Sequence, residues 1–282
     1  MAQKVVPWVL IRLDRSVLGI ESSAVREMLL LPRTTPIPTA GADIRGVITL
    51  RDRAIPVVDL RTLLGMPSLG EAAAALNALL VQRAEDHRRW VMELEASVRE
   101  DRPFTLTLDP HQCAFGKWYD TFTATSVVLE SHMKRFDRPH KEIHALGRTV
   151  GDLVKEGHTE DAHELVARAR QTTLATLIQL FDDTPRILAE MNREMVIVLR
   201  DDHALISVTA DAVQSVEAIK PETLQELQLT DGVCGSGFIT HTARTAKADE
   251  LILILDAARL LSEFSTILAH HAAPASVPAA AA

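Results

Sequence analysis

Gly46–Leu64 reads GVITLRDRAIPVVDLRTLL, and near the other end of the chain Gly237–Leu261 reads GFITHTARTAKADELILILDAARLL. Both segments keep one order: Gly, Ile-Thr, a polar turn, a short apolar run, Asp, and a stretch ending in Leu-Leu. Short apolar runs bounded by turn residues read as strands, and the leucine-rich stretch after the Asp reads as a short helix. Each segment is therefore predicted to be strand, turn, strand and short helix. The pieces upstream match as well. LIRLDRSVLGIESSAVREML (Leu10–Leu29) and VIVLRDDHALISVTADAVQSVE (Val196–Glu217) each give a strand, a charged turn, a second strand and a run centred on a valine. The ends of the chain read as two copies of one β subdomain.

Working outward, composition changes between the copies. From about Ala72 to Asn192, Ala, Leu, Glu, Arg and His recur at helical spacing with little β-branched alternation. Asp109-Pro110 and Asp137-Arg138-Pro139 look like helix starts, Gly157 like a stop, and Thr159 like the opening of a long helix. On that last helix Leu165, Ala169, Thr172, Ala175 and Leu180 form the expected apolar stripe. The organisation predicted is α+β and multidomain: a β subdomain over 1–75, a helical insert over 76–191, a second β subdomain over 192–268 and a disordered tail over 269–282. That tail, rich in Ala and Pro, has little bulky apolar surface to offset its ordering entropy.

The 282 residues are 47% hydrophobic, enough for a sizeable core, and carry a net charge of -8. That charge gives no general basic field, so nucleic acid is not an expected partner. No apolar run approaches the roughly 20 residues of a membrane span, so a cytoplasmic protein without direct membrane insertion is expected. There is no phosphate loop, no nucleophile motif and no receptor-like coiled coil. With two cysteines, Cys113 and Cys234, a lone cysteine near histidines reads as a metal ligand or reactive thiol. Cys234 reads as a small buried residue.

His87 lies on the first helix of the insert, Cys113 near the start of the second, and His140 and His144 on the third. Residues four apart share a helix face, so the pair can offer two imidazoles to one metal. A helix N-terminus favours the thiolate a metal needs. Three nitrogens and one sulfur would close a tetrahedral zinc shell, leaving little room for a catalytic water. A zinc hydrolase would also need a glutamate facing the metal, and Glu142 lies about 200° around the helix from His140. No enzyme is therefore expected. His111, His132, His158, His163, His203 and His241 read as surface histidines.

The run Cys113-Ala114-Phe115-Gly116-Lys117-Trp118-Tyr119 resembles the core motif of the chemoreceptor zinc-binding domain family, a cysteine followed by Phe or Leu, then Gly, then Trp. His87-Arg88-Arg89-Trp90, His140 and His144 fall where that family places its histidines. Over about residues 80–191 the resemblance implies a zinc site of three histidines and one cysteine in a four-helix bundle. Trp90, Phe115, Gly116, Trp118 and Tyr119 are then the packing around it. The flanks resemble the CheW-like coupling domain, most clearly in Ile44–Arg51 and Ile55–Arg61. This implies two five-stranded SH3-like barrels serving as a chemotaxis adaptor between methyl-accepting chemoreceptor tips and a CheA-type histidine kinase, at receptor arrays. Val25, Glu27 and Arg51 occupy the family's receptor-contact positions, although Asp52 stands where the family has glycine. Zinc occupancy or Cys113 oxidation would then alter a bundle whose two ends join the two barrels; the alternative is a plain scaffold with a purely structural zinc site.

Overall fold

Several strands at the two ends of the chain are apolar along nearly their whole length because both of their faces are buried. In β1 (Val6–Leu13) Trp8 and Leu10 enter one core while Val9, Ile11 and Leu13 enter another, the period of two that a pleated strand imposes. A computed structural model describes residues 6–38, 40–124, 126–191, 193–227, 237–244 and 250–265. They fall in two compact units, within Met1–Gly70 plus Asn192–Ala282 and within Glu71–Met191. Cys234 and the expected tail lie outside the described residues.

In the first unit β1, β2 (Ser16–Glu21), β3 (Val25–Leu30), β4 (Ile44–Leu50), β5 (Arg53–Val58) and α1 (Leu60–Leu63) form one copy of the repeat. After the insert come β6 (Met195–Arg200), β7 (Leu205–Ala210), β8 (Ala212–Ile219), β9 (Gln225–Glu226), β10 (Ile239–Arg244), β11 (Leu251–Leu255) and α8 (Ala257–Phe264). The two quoted segments do share a design. Each is an antiparallel hairpin with a register shift near its start, followed by a helix capped by aspartate. Asp59 accepts from the Thr62 amide and Asp256 from the Arg259 amide.

The copies exchange strands. One sheet has the order β8-β1-β2-β11-β10-β9 and the other β3-β6-β7-β5-β4. Each takes the first two strands of one copy and the later strands of the other. The five-stranded sheet closes on itself, because Thr35, just beyond β3, pairs with Val47 of β4. The sixth strand of the other sheet plays the same part, β9 returning from β8 to pair with β10. Ile48, Ile55, Val57, Val196 and Val198 fill one interior, and Trp8, Leu10, Val17, Ile252 and Ile254 the other. A third core shared by both sheets holds Ile11, Leu18, Ile197, Ile206 and Leu260. The strand before the insert, β5, and the strand after it, β6, belong to the same sheet. The insert is thus rooted at both ends in the five-stranded sheet and does not join one barrel to the other.

The second unit contains α2 (Leu69–Arg99), α3 (Ala114–Tyr119), α4 (Val127–Lys134), α5 (Asp137–Lys155), α6 (Thr159–Ala169) and α7 (Ala175–Met191). Asp109-Pro110 is a turn and not a helix start: Asp109 accepts from the His111 amide, and the helix begins at Ala114 with Cys113 as its N-cap. Gly157 ends α5 at φ 82° as expected. The apolar stripe on the last helix is displaced. Residues Arg170–Leu174 form a π-turn joining α6 to α7, which adds a residue to one turn and shifts the phase. Leu174 and Leu177 are buried in consequence, while Thr172 and Ala175 face solvent.

Two turn positions test the strand geometry. Arg51 and Asp52, the two-residue loop between β4 and β5, have φ of 49° and 61°, the left-handed pair of a type I′ turn that favours glycine. Gly46 has φ 131°, and a Cβ there would lie 2.1 Å from the Thr35 carbonyl oxygen. Asp52→Gly is expected to stabilise the β unit by roughly 0.5–1 kcal/mol and Gly46→Ala to destabilise it by more than about 2 kcal/mol, both read from urea midpoints.

Candidate metal centre

His87 projects from α2, Cys113 from the N-terminus of α3, and His140 and His144 from one face of α5. One possible ligand atom from each lies within 4.8 Å of the others. The three histidines are buried and Cys113 is half-buried. The hydrogen bonds around them fix which atoms face the centre. His87 Nδ1 lies 2.7 Å from the Arg83 carbonyl and His144 Nδ1 3.2 Å from that of Thr107. A carbonyl only accepts, so each Nδ1 carries the proton and each Nε2 presents a bare lone pair. Both Nε2 atoms are buried with no hydrogen-bond partner, a costly condition for a polar atom in a core. His140 Nε2 lies 3.2 Å from Cys113 Sγ.

Charge follows from burial. Desolvation lowers the pKa of His87, and that of His140 to about 3 and of His144 to about 4, with repulsion from the neighbouring imidazoles adding to the last two. The ring nitrogens are thus neutral at ordinary pH and free to coordinate. Burial pushes the Cys113 thiol up, against the Gly116 amide that lowers it. Sγ caps α3 by accepting from that amide at 3.1 Å and lies 3.4 Å from the Pro110 carbonyl. Three imidazoles and one sulfur, without a buried carboxylate among them, suit zinc better than the hard cations that favour oxygen. Zinc, when bound, supplies the positive charge that holds the sulfur as thiolate.

The surrounding shell is aromatic. Phe115, 1% exposed, sets its ring 4.9 Å from that of His140 and 5.8 Å from that of His87. Trp90 lies 5.1 Å from His144 and donates from Nε1 to the Thr107 carbonyl, which thereby holds both rings. Trp118 and Tyr119 pack their rings against that of Phe115. Gly116 is required by space, since a Cβ there would lie 1.8 Å from the Pro110 carbonyl oxygen. Glu142 is bonded to Arg138 on the outer face of α5, as the helical spacing anticipates. His132 departs from its surface reading. It is 4% exposed, with Nε2 3.0 Å from both the Leu180 carbonyl and Thr184 Oγ1. Sequence reasoning also missed Thr107 and Arg83, whose contribution is a backbone carbonyl that leaves no mark in residue type, and Phe181, whose ring lies 6.0 Å from that of His87.

In the β unit two of the three positions of the other candidate surface, Glu27 and Arg51, come together. Arg51, 69% exposed, bonds Glu27 at 3.1 Å across the two edges of the five-stranded sheet, and Val25 packs half-buried beside the shared core.

The CheW-like domain family model matches residues 7–95 and 165–265, more than half of the chain. The chain belongs to the CheW-like family. The chemoreceptor zinc-binding domain model matches residues 87–150, a span holding all four converging side chains, so this CheW-like protein carries an inserted zinc-binding domain. No curated protein matches the sequence. Among solved structures, the scaffolding protein TtCheW from Thermoanaerobacter tengcongensis matches with 12% identity over 90% of this chain and 86% of its own, at a TM-score of 0.42. The CheW-like family is one of scaffolds that work with chemoreceptors and kinase, and with its zinc-binding insert this member has the make-up of a chemotaxis coupling adaptor. Among the described residues no helix is long and apolar enough to cross a membrane.

Two outcomes follow from the centre. Gly116→Ala, though it removes no ligand, must shift Cys113 and is expected to weaken zinc affinity by about 10–100-fold, measured by competition with a chromophoric chelator. In zinc-stripped protein the histidines have folded pKa values below the unfolded value of about 6.5, so the unfolded chain takes up protons that the folded one refuses. Stability of the helical unit is then full above about pH 6.5 and falls steadily toward pH 4, a slope that urea titration at successive pH values will show.

Proposed function

We propose that this protein couples chemoreceptor tips to a CheA-type histidine kinase and that its insert makes the coupling respond to zinc or to oxidation of Cys113. His87, Cys113, His140 and His144 hold the zinc in this reading, and the chain acts as an adaptor with no catalysis of its own, at receptor arrays in the cytoplasm. The observation that carries it is the convergence of three buried, neutral imidazoles on one half-buried sulfur, inside a chain of a scaffold family. The closed shell favours regulation or structure over hydrolysis. Cys113 is half-buried where the three histidines are buried, and a metal-bound thiolate is a reasonable oxidant target. Structural zinc can supply about 10 kcal/mol or more of folding free energy, whereas about 5.5 kcal/mol suffices to invert a two-state equilibrium. Val25, Glu27 and Arg51 are the proposed receptor contact, supported by the Arg51–Glu27 pair at the exposed edge of the sheet.

The experiment is capture of the kinase and of a receptor cytoplasmic fragment by the full-length chain, zinc-loaded and chelator-stripped, with Arg51→Ala as the contact control. A severalfold change in captured kinase or receptor on zinc removal, and loss of receptor capture in Arg51→Ala, is expected. Equal capture in both metal states from folded protein would leave a scaffold with a purely structural zinc.

A further inference from the structure

The chain segments that flank the insert on its two sides meet at one arginine. The helix of His87, α2, follows α1, whose capping residue is Asp59. The helix of Phe181, α7, ends at Met191, and Glu194 stands just before β6. Phe181 packs edge-on to Phe115, with ring centroids 5.3 Å apart, so both helices touch the centre directly. Arg45, near the start of β4, donates from Nε to Asp59 at 2.9 Å and from both terminal nitrogens to the Glu194 carboxylate. Asp59 is 2% and Glu194 8% exposed. Carboxylates so buried depend on their partner, and a guanidinium that loses one of them leaves an uncompensated charge.

The root on the α2 side is fixed a second time. Arg61, 4% exposed, forks onto Asp211 at the end of β7, and Asp211 also accepts from the Asp14 amide at 2.6 Å. For the Glu194 carboxylate Arg45 is the hydrogen-bond partner among the described residues. The other end of β4 is the turn that carries Arg51.

We propose that Arg45 is a positioning residue that couples the state of the insert to the β4–β5 hairpin, and through β4 to the Arg51 edge. The inference deepens the regulated-adaptor reading and rests on it for its purpose. A displacement of α7 relative to α2 moves Glu194 relative to Asp59; the guanidinium holds both, so β4 must follow or a buried carboxylate loses its partner. The exchange of strands is what makes this possible, since it brings both roots of the insert into the sheet that contains β4.

Hydrogen–deuterium exchange of the full-length chain, zinc-loaded and chelator-stripped, tests this in wild type, Arg45→Met and Glu194→Gln. In wild type, zinc removal should speed exchange in peptides covering residues 44–58 by at least about threefold. In both variants the zinc-dependent difference should vanish there while zinc content stays at the wild-type level. Should Arg45→Met not fold, Glu194→Gln decides, since it keeps the shape and removes only the charge. Wild-type peptides indifferent to zinc, or variants that keep the full difference, would overturn the coupling. Zinc-dependent kinase capture with unchanged exchange would sink the clamp and leave the adaptor reading standing; changed exchange with zinc-independent capture would do the reverse.

Discussion

Pairing of β3 with β6 and of β1 with β8 governs the rest of this chain. Each pairing joins a strand before the helical insert to one after it, so neither copy of the repeat can complete a sheet alone. The cost is the closure of a loop of more than a hundred residues, which grows only logarithmically with length, and the return is two closed sheets with a common apolar core. An insertion of this size is tolerated because its two roots, β5 and β6, are separated in their sheet only by β7. The same arrangement puts a mechanical consequence on the insert, whose ends both enter one sheet.

Within the insert the corresponding constraint is the burial of three imidazoles that make no ion pair among the described residues. A core that excludes water keeps these rings neutral, and backbone carbonyls at Arg83 and Thr107 orient two of them so that their lone pairs point at one place. Left alone, that arrangement is a poor core: two buried acceptors without donors. With a soft divalent cation it becomes a satisfied one. The aromatic shell of Trp90, Phe115 and Phe181 fixes the rings and lowers the local dielectric, which strengthens the interaction between cation and thiolate.

Much of this was legible in the sequence where local rules decide the outcome. The short helices after Asp59 and Asp256, the stop at Gly157 and the i, i+4 histidines are readable because each depends on residues a few positions apart. The repeat of Gly46–Leu64 in Gly237–Leu261 revealed the hairpins and their capped helices. It could not reveal that the copies trade strands, since β1 satisfies the same alternation whichever partner it meets. The π-turn at Arg170–Leu174 escaped a reading built on 3.6 residues per turn, and with it the stripe through Thr172 and Ala175. His132 was misplaced because the acceptor that makes its burial tolerable is the Leu180 carbonyl, far along the chain. Arg45 carries no sign in its neighbours that it ties together residues on either side of the insert.

Convergence of His87, Cys113, His140 and His144 fits one zinc site. Its most direct test is the zinc content per chain, by mass spectrometry, of full-length protein purified without added metal, compared with Cys113→Ala and His144→Ala. A single zinc ion per wild-type chain and its loss from both variants are expected. A well-folded wild type free of metal, or variants that keep a full complement of zinc, would contradict that reading.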